Sequence, residues 1–177
     1  MHKLKLEELG RASVEEFKAA TKIPVVVVLD NIRSMQNVGS VFRTSDAFAV
    51  EKILLCGITA RPPHRDIQRA ALGATESVDW VHEEKILPAL ETYKAKGYRI
   101  IGLEQTSESV LLNSGDFRTD SNEKYVLVLG NEVEGISDEI LPMLDLALEI
   151  PQSGTKHSLN VSVAAGVALW WFYEQLA

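Results

Sequence analysis

Five aliphatic residues in unbroken succession, Val25-Val26-Val27-Val28-Leu29, constrain this chain more than any other feature. Pro24 opens the run and Asp30-Asn31 ends it. β-Branched side chains favour extended backbone. Because the run does not alternate with polar residues, both faces of the strand must be covered. A strand of that kind sits inside a sheet with helices on either side. Shorter runs repeat the beat at Lys52 to Cys56, Tyr98 to Leu103, Tyr125 to Leu129 and Ala147 to Ile150. Between them lie helical patterns. Val38, Val41, Phe42, Ser45, Phe48 and Ala49 fall at helical spacing, and a second helix is expected from about Glu84 to Lys96, closed by Gly97. Pro88 fits that helix only within its first turn. A last helix is expected over about 160 to 175. Strands alternating with helices define a single α/β domain with a mainly parallel sheet, and 177 residues at 46% hydrophobic content suffice for its core.

The organisation is simple. Residues 1–22 are expected to form a short polar helical extension, with Leu6, Leu9, Val14 and Phe17 as its apolar positions, and residues 23–177 the domain. The one cysteine, Cys56, excludes an internal disulfide, so a reducing cytosol is the expected compartment. The first residues carry no apolar signal core, and the longest stretch without Asp, Glu, Lys or Arg, His157 to Tyr173, begins polar. A soluble cytoplasmic protein is therefore expected. His2, His64, His82 and His157 show no metal-ligand spacing, and His64 and His157 are expected to face solvent.

Net charge is −7, which argues against non-specific nucleic-acid affinity. Its distribution is uneven. Between Asn31 and Thr75 stand Arg33, Arg43, Lys52, Arg61, Arg65 and Arg69 against Asp46, Glu51 and Asp66. Between Glu104 and Glu149 eleven acids face only Arg118 and Lys124. Arginine suits forked phosphate contacts.

In α/β sheets, ligands bind beyond the carboxyl ends of the strands. Three loops of that kind stand out. In the first, Asn37, Gly39 and Arg43 surround a strand-to-helix turn. The plain structural reading makes Asn37 a helix cap, Gly39 a close-packing position and Arg43 a surface partner of Asp46. In the second, Gly130-Asn131-Glu132-Val133-Glu134-Gly135-Ile136-Ser137 spaces its glycines as a phosphate-binding loop does, but Ile136 stands where that motif needs lysine. A carboxylate, Glu132, is left at the tip, and Ser137 suits a following helix as its cap. In the third, Ser158 and Asn160 open a helix that is apolar on nearly every side. Such a helix must be buried in the domain or against a partner. No G-x-G-x-x-G occurs.

Taken in order, N-x-G-x-x-x-R at Asn37 to Arg43, G-N-E-x-x-G-I-S at Gly130 to Ser137 and I-P-x-x-G-x-x-x-S-L-N-V-S-V-A-A at Ile150 to Ala165 resemble a known triplet of motifs. They are similar to the signatures of the SpoU (TrmH-like) branch of the SPOUT RNA ribose 2′-O-methyltransferases. Arg69-Ala70-Ala71-Leu72-Gly73-Ala74 adds to the likeness, which runs from Pro24 to the last helix.

The resemblance implies a C-terminal deep trefoil knot, S-adenosyl-L-methionine as cofactor, and a homodimer with its active site near the interface. It implies that Glu104, Gly130, Ile150 and Leu159 line the cofactor pocket. Asn37, Arg43, Glu132, Ser158 and Asn160 would form the reaction site. Arg43 would hold the substrate phosphate, while Glu132 would orient Arg43 or accept the proton. Arg33, Arg61, Arg65 and Arg69 would meet tRNA or rRNA. No metal is implied. A non-catalytic RNA-binding or assembly protein that kept the fold is the alternative, which would predict loss of the reactive set. A small-molecule nucleotide-binding domain would predict the missing glycine fingerprints.

Overall fold

A computed structural model describes residues 1–177, the side chain of Leu6 excepted, so the Leu6 position of the expected helix face lies outside the described residues. Seven parallel strands form one sheet: β1 (Ile23–Asp30), β2 (Val50–Cys56), β3 (Trp80–Glu83), β4 (Tyr98–Leu103), β5 (Val110–Leu111), β6 (Lys124–Leu129) and β7 (Leu146–Glu149). Their order across the sheet is β3-β2-β1-β6-β4-β7-β5. The helices are α1 (Val14–Ala19), α2 (Met35–Ala47), α3 (Arg65–Ala71), α4 (Ala74–Ser77), α5 (Ile86–Ala95) and α6 (Val161–Leu176), with short 3-10 turns at Leu6–Leu9 and Asp138–Met143.

The aliphatic run does what its composition demands. Val25, Val27 and Leu29 enter a core shared with Phe42 of α2, Ile67 of α3 and Phe172 of α6. Val26 and Val28 enter a second core shared with Leu90 of α5 and Ile140 of the later 3-10 turn. The result is a three-layer domain with β1 inside its sheet, beside the central β6. Burying the run on both faces stabilises the fold by roughly 1.5–3 kcal/mol per side chain.

The connections leave the centre in opposite directions. After β1 the chain crosses to the first core through α2; after β6 it crosses to the second core through the 3-10 turn at Asp138–Met143. β1 and β6 are neighbours, paired from Val25–Tyr125 to Leu29–Leu129. Divergent exits from adjacent strands leave a crevice at their carboxyl ends.

Several local expectations are corrected. Residues 1–22 form two short pieces, because Gly10 takes a left-handed conformation (φ 57°) between the 3-10 turn and α1. Strands β3 and β5 lie where the sequence shows no long unbroken apolar run. Pro88 does fall in the first turn of α5, and Gly97 follows that helix with φ 82°. Gly39 is a close-packing position: a Cβ there would lie 2.4 Å from the Ile67 carbonyl oxygen and 2.7 Å from the Ala70 Cβ. α2 and α3 therefore touch backbone to backbone.

Candidate active site at the strand ends

α2 begins at Ser34, not at Asn37. The Ser34 hydroxyl accepts the Asn37 N–H at 3.3 Å, so Ser34 is the cap and Asn37 lies within the first turn. That position frees the Asn37 side chain for another task. Its Nδ2 donates to Glu132 Oε1 at 3.0 Å, and its Oδ1 accepts from Asn160 Nδ2 at 3.1 Å. Asn160 Oδ1 in turn accepts the Ser162 N–H at 2.9 Å and so caps α6. Residues from all three sequence loops thus form one chain of hydrogen bonds.

The polarity of that chain is fixed from one end. Glu132 also accepts the N–H groups of Arg33 and Ser34, each at 3.0 Å. An ionised carboxylate only accepts, so Asn37 must turn its amide nitrogen to Glu132 and its oxygen to Asn160. Asn160 must then offer its own nitrogen, which leaves its oxygen for α6. Partial burial pushes the Glu132 carboxyl upward, but the bonds from Arg33, Asn37 and Ser34 outweigh it and hold the group below the ordinary carboxylate value. Its place at the start of α2 also suits the positive end of that helix. Glu132 is therefore an anion with low proton affinity and an anchored position.

Beside this chain opens a cavity of about 810 Å³ at the ends of β4, β6 and β7. Glu104, Gly130, Glu132, Ile150, Ser158, Leu159 and Asn160 all line it. Asn37 stands behind its wall, bonded to Glu132 and Asn160. The lining carries five carboxylates, Glu104, Glu132, Glu134, Asp138 and Glu149, and among the described residues no lysine or arginine. Such a surface favours a cationic ligand.

The 130–137 turn is closed upon itself. A Cβ on Gly130 would fall 2.2 Å from the Gly135 carbonyl carbon and the Ile136 nitrogen, so only glycine admits the fold-back. Asn131 and Gly135 exchange backbone bonds, at 2.8 and 3.0 Å, and the Asn131 Oδ1 takes the N–H groups of Val133 and Glu134. Glu104 Oε2 accepts the Ile136 N–H at 3.0 Å, and Asp30 Oδ2 the Ser137 N–H at 2.9 Å. With those amides engaged, the turn offers no phosphate cradle, despite its glycine spacing. The Ser137 side chain makes no capping bond, which corrects that expectation: its Oγ faces the donating Asn31 Nδ2 at 3.5 Å, and its N–H is held by Asp30.

Arg43 lies apart. It is exposed on α2, outside the cavity lining, and among the described residues it makes no hydrogen bond or ion pair. The expected Arg43–Asp46 pair is absent among the described residues; Asp46 instead accepts the Ser77 hydroxyl. Nor does Glu132 touch Arg43, since its oxygens are engaged by Arg33, Ser34 and Asn37. Arg33, Arg61, Arg65 and Arg69 are all exposed, and Arg65 sits 3.5 Å from Asp66. His64 is not a free surface histidine: its Nδ1 accepts the Asp66 N–H and caps α3. His157 is exposed at the cavity. Among the described residues no cluster of His, Cys, Asp or Glu is arranged to hold a metal ion, and no helix is long and apolar enough to cross a membrane.

Sequence reasoning missed Ser34, Asp30 and Gln105. Ser34 stood three residues before Asn37, the spacing of a cap to its N–H, and was the readable signal. Gln105, whose Nε2 donates to the His157 carbonyl across the cavity at 3.0 Å, left no sequence mark.

The family model described as "SpoU rRNA Methylase family" matches residues 24–170. The chain belongs to that family. It is 33% identical over 153 residues to the mouse tRNA (guanosine(18)-2′-O)-methyltransferase TARBP1, covering 85% of this chain and 9% of that protein. To the tRNA (guanosine(18)-2′-O)-methyltransferase of Aquifex aeolicus it is 32% identical, covering 82% of this chain and 67% of the relative. The AdoMet-bound rRNA methyltransferase of Sinorhizobium meliloti superposes with a TM-score of 0.79 at 25% identity, over 91% of this chain and 60% of that one. The chain spans 64, 9, 42 and 65% of the lengths of four curated relatives it matches.

Proposed function

We propose that this protein transfers the methyl group of S-adenosyl-L-methionine to a ribose 2′-hydroxyl of tRNA or rRNA. The observation that carries this reading is the acidic cavity: five carboxylates and no fixed cation surround a space of about 810 Å³, which fits a sulfonium ligand. Glu104, Gly130, Ile150 and Leu159 would hold that cofactor, as Ser158 and Asn160 stand at the same wall. The cofactor supplies the activated methyl group; the protein supplies alignment.

Within this reading Glu132 positions rather than accepts a proton. Its depressed proton affinity makes it a weak base, and its oxygens are engaged by α2. Arg43 binds an RNA phosphate beside the reacting hydroxyl, with Arg33, Arg61, Arg65 and Arg69 extending the contact along the same exposed, basic half. Methylation of cytoplasmic RNA agrees with the lone, buried Cys56.

The protein acts as a homodimer. Val163, Val167 and Trp170 follow one another along one stripe of α6 with 52, 40 and 49% of their surface exposed, an apolar band that a second copy would cover. Asn160 caps the same helix, so pairing there brings the partner to the mouth of the cavity. The trefoil knot belongs to this reading as well, through the family's fold. A non-catalytic assembly protein is disfavoured by the intact Glu132–Asn37–Asn160 chain.

The test uses methyl-labelled S-adenosyl-L-methionine and total RNA lacking the modification, with wild type beside Arg43→Ala. Label in a 2′-O-methylnucleoside that disappears with Arg43→Ala is the expected result. Cofactor binding without label on any RNA would overturn it in favour of the assembly protein.

A further inference from the structure

Asp30 ends β1 fully buried, with no cation among its hydrogen-bond partners. A carboxylate so placed is costly unless donors satisfy it. Two do: Asn31 Nδ2 reaches Oδ1 at 2.9 Å and the Ser137 N–H reaches Oδ2 at 2.9 Å. Asn31 cannot turn its amide round, because its Oδ1 already accepts the Ile58 N–H at 3.1 Å. Both groups facing Asp30 are therefore donors, and only a residue with two acceptors satisfies both.

Across the turn, Glu104 does the matching work. Its Oε2 takes the Ile136 N–H at 3.0 Å and its Oε1 the Gln105 N–H at 2.8 Å. The adjacent amides of Ile136 and Ser137 are thus each held by a separate carboxylate, one from the end of β4 and one from the end of β1. Asn131 Nδ2 adds a bond to the Asn31 carbonyl at 2.7 Å. The two ends of the 130–137 turn are tied to the β1 exit, and the turn carries Glu132 to the start of α2.

We propose that Asp30 is a positioning residue for methyl transfer: by holding the Ser137 amide it fixes the turn that both walls the cofactor cavity and delivers Glu132 to Asn37. The proposal rests on the cavity being the S-adenosyl-L-methionine site. Asp30 is not among the residues that line the cavity; it acts through the turn.

The experiment removes each half of the bond in turn. Asp30→Asn keeps the shape but sets an amide nitrogen against a donor. Ser137→Pro replaces the N–H by a ring methylene at a backbone angle, φ −57°, that proline adopts, so the Asp30 oxygen loses its donor and must move away. Ser137→Ala keeps the N–H, gives up only the long 3.5 Å contact from Asn31 Nδ2 to the hydroxyl, and is the control. Cofactor affinity is read by calorimetry, and turnover on unmodified RNA at saturating cofactor. Asp30→Asn and Ser137→Pro should each weaken cofactor binding about tenfold, and the double variant should be no worse than the weaker single one. Ser137→Ala should match wild type, and KM for RNA should hold throughout. Should Asp30→Asn fail to fold, Ser137→Pro against Ser137→Ala still decides. Lower melting temperatures with unchanged affinity and kcat would make Asp30 merely structural and overturn the proposal. Wild type that binds no S-adenosyl-L-methionine would instead overturn the reading of the cavity, and this proposal with it.

Discussion

Glu132 and Asn37 meet carboxylate to amide at 3.0 Å, one arriving from the end of β6 and the other from the first turn of α2. Ninety-five positions apart in sequence, they close the crevice that the diverging exits of β1 and β6 create. The contact sets the direction of every amide from there to the α6 cap.

Replacing the carboxylate should break that direction. In Glu132→Gln one of the three donors from Arg33, Ser34 and Asn37 faces an amide nitrogen, costing about 0.5–1.5 kcal/mol at this exposed position and abolishing turnover. The pH dependence has a definite sign. Because the folded Glu132 carboxyl lies below its ordinary value, its stabilisation is complete above the unfolded value of about 4.3 and is lost as pH falls through the folded one. Thermal melts of wild type and Glu132→Gln should therefore differ at pH 7 and converge in acid. A gap that stays constant down to pH 3 would contradict the assignment.

Asn160 holds two positions at once, and two substitutions separate them. Asn160→Ala loses the α6 cap and leaves Asn37 Oδ1 unpaired, so it should cost about 1 kcal/mol and turnover as well. Asn160→Asp still caps the helix but faces Asn37 with a second acceptor. It should melt near wild type and fail to methylate. Normal activity in the aspartate variant would show that the Asn37–Asn160 bond is dispensable.

Gly39 lets α3 lie against α2. Gly39→Ala puts a methyl group 2.4 Å from the Ile67 carbonyl oxygen, so the helices must separate, at a cost of about 1–3 kcal/mol. A denaturant melt should move to lower midpoint; an unchanged midpoint would mean that α3 yields freely.

Cys56 should be silent in the folded protein. It is fully buried, and burial, with Asp30 and Glu83 nearby, pushes its thiol up to about 12. A thiol reagent should label it only as fast as the domain opens. Prompt labelling under native conditions would contradict the burial.

A charge on α6 tests the pairing. Val167→Glu places a carboxylate in the exposed apolar stripe without entering either core. Sedimentation should show wild type as a dimer at micromolar concentration and the variant as a monomer. Wild type sedimenting as a monomer would remove the interface.

Much of this was legible in the sequence. Strands β1, β2, β4 and β6 announced themselves because a doubly covered strand needs an unbroken apolar run. β3 did not, because an edge strand pairs on one side only and Trp80-Val81-His82-Glu83 mixes its polarities accordingly. β5, two residues long, carried no period at all. The motif residues around the cavity were readable, but their wiring was not. Ser34 took the cap expected of Asn37 because the helix begins one turn earlier, and only that shift frees Asn37 to bridge Glu132 and Asn160. The role of Asp30 was hidden for a different reason. A charged residue after a strand reads as a solvated turn, and nothing local signals that Ser137, 107 positions later, comes back to cover it.

If the cavity is the S-adenosyl-L-methionine site proposed above, its acidic lining and self-satisfied turn decide which adenosine compounds it would admit. S-adenosyl-L-methionine and ATP carry the same adenosine, and shape alone would hardly separate them. They differ in the sign of what hangs from the ribose. A triphosphate would meet five carboxylates, no lysine or arginine, and a loop whose amides are already engaged, so its charge goes unanswered. A sulfonium meets the opposite. On the proposed reading the pocket would discriminate by electrostatic rejection, with the same hydrogen bonds that keep its wall in place.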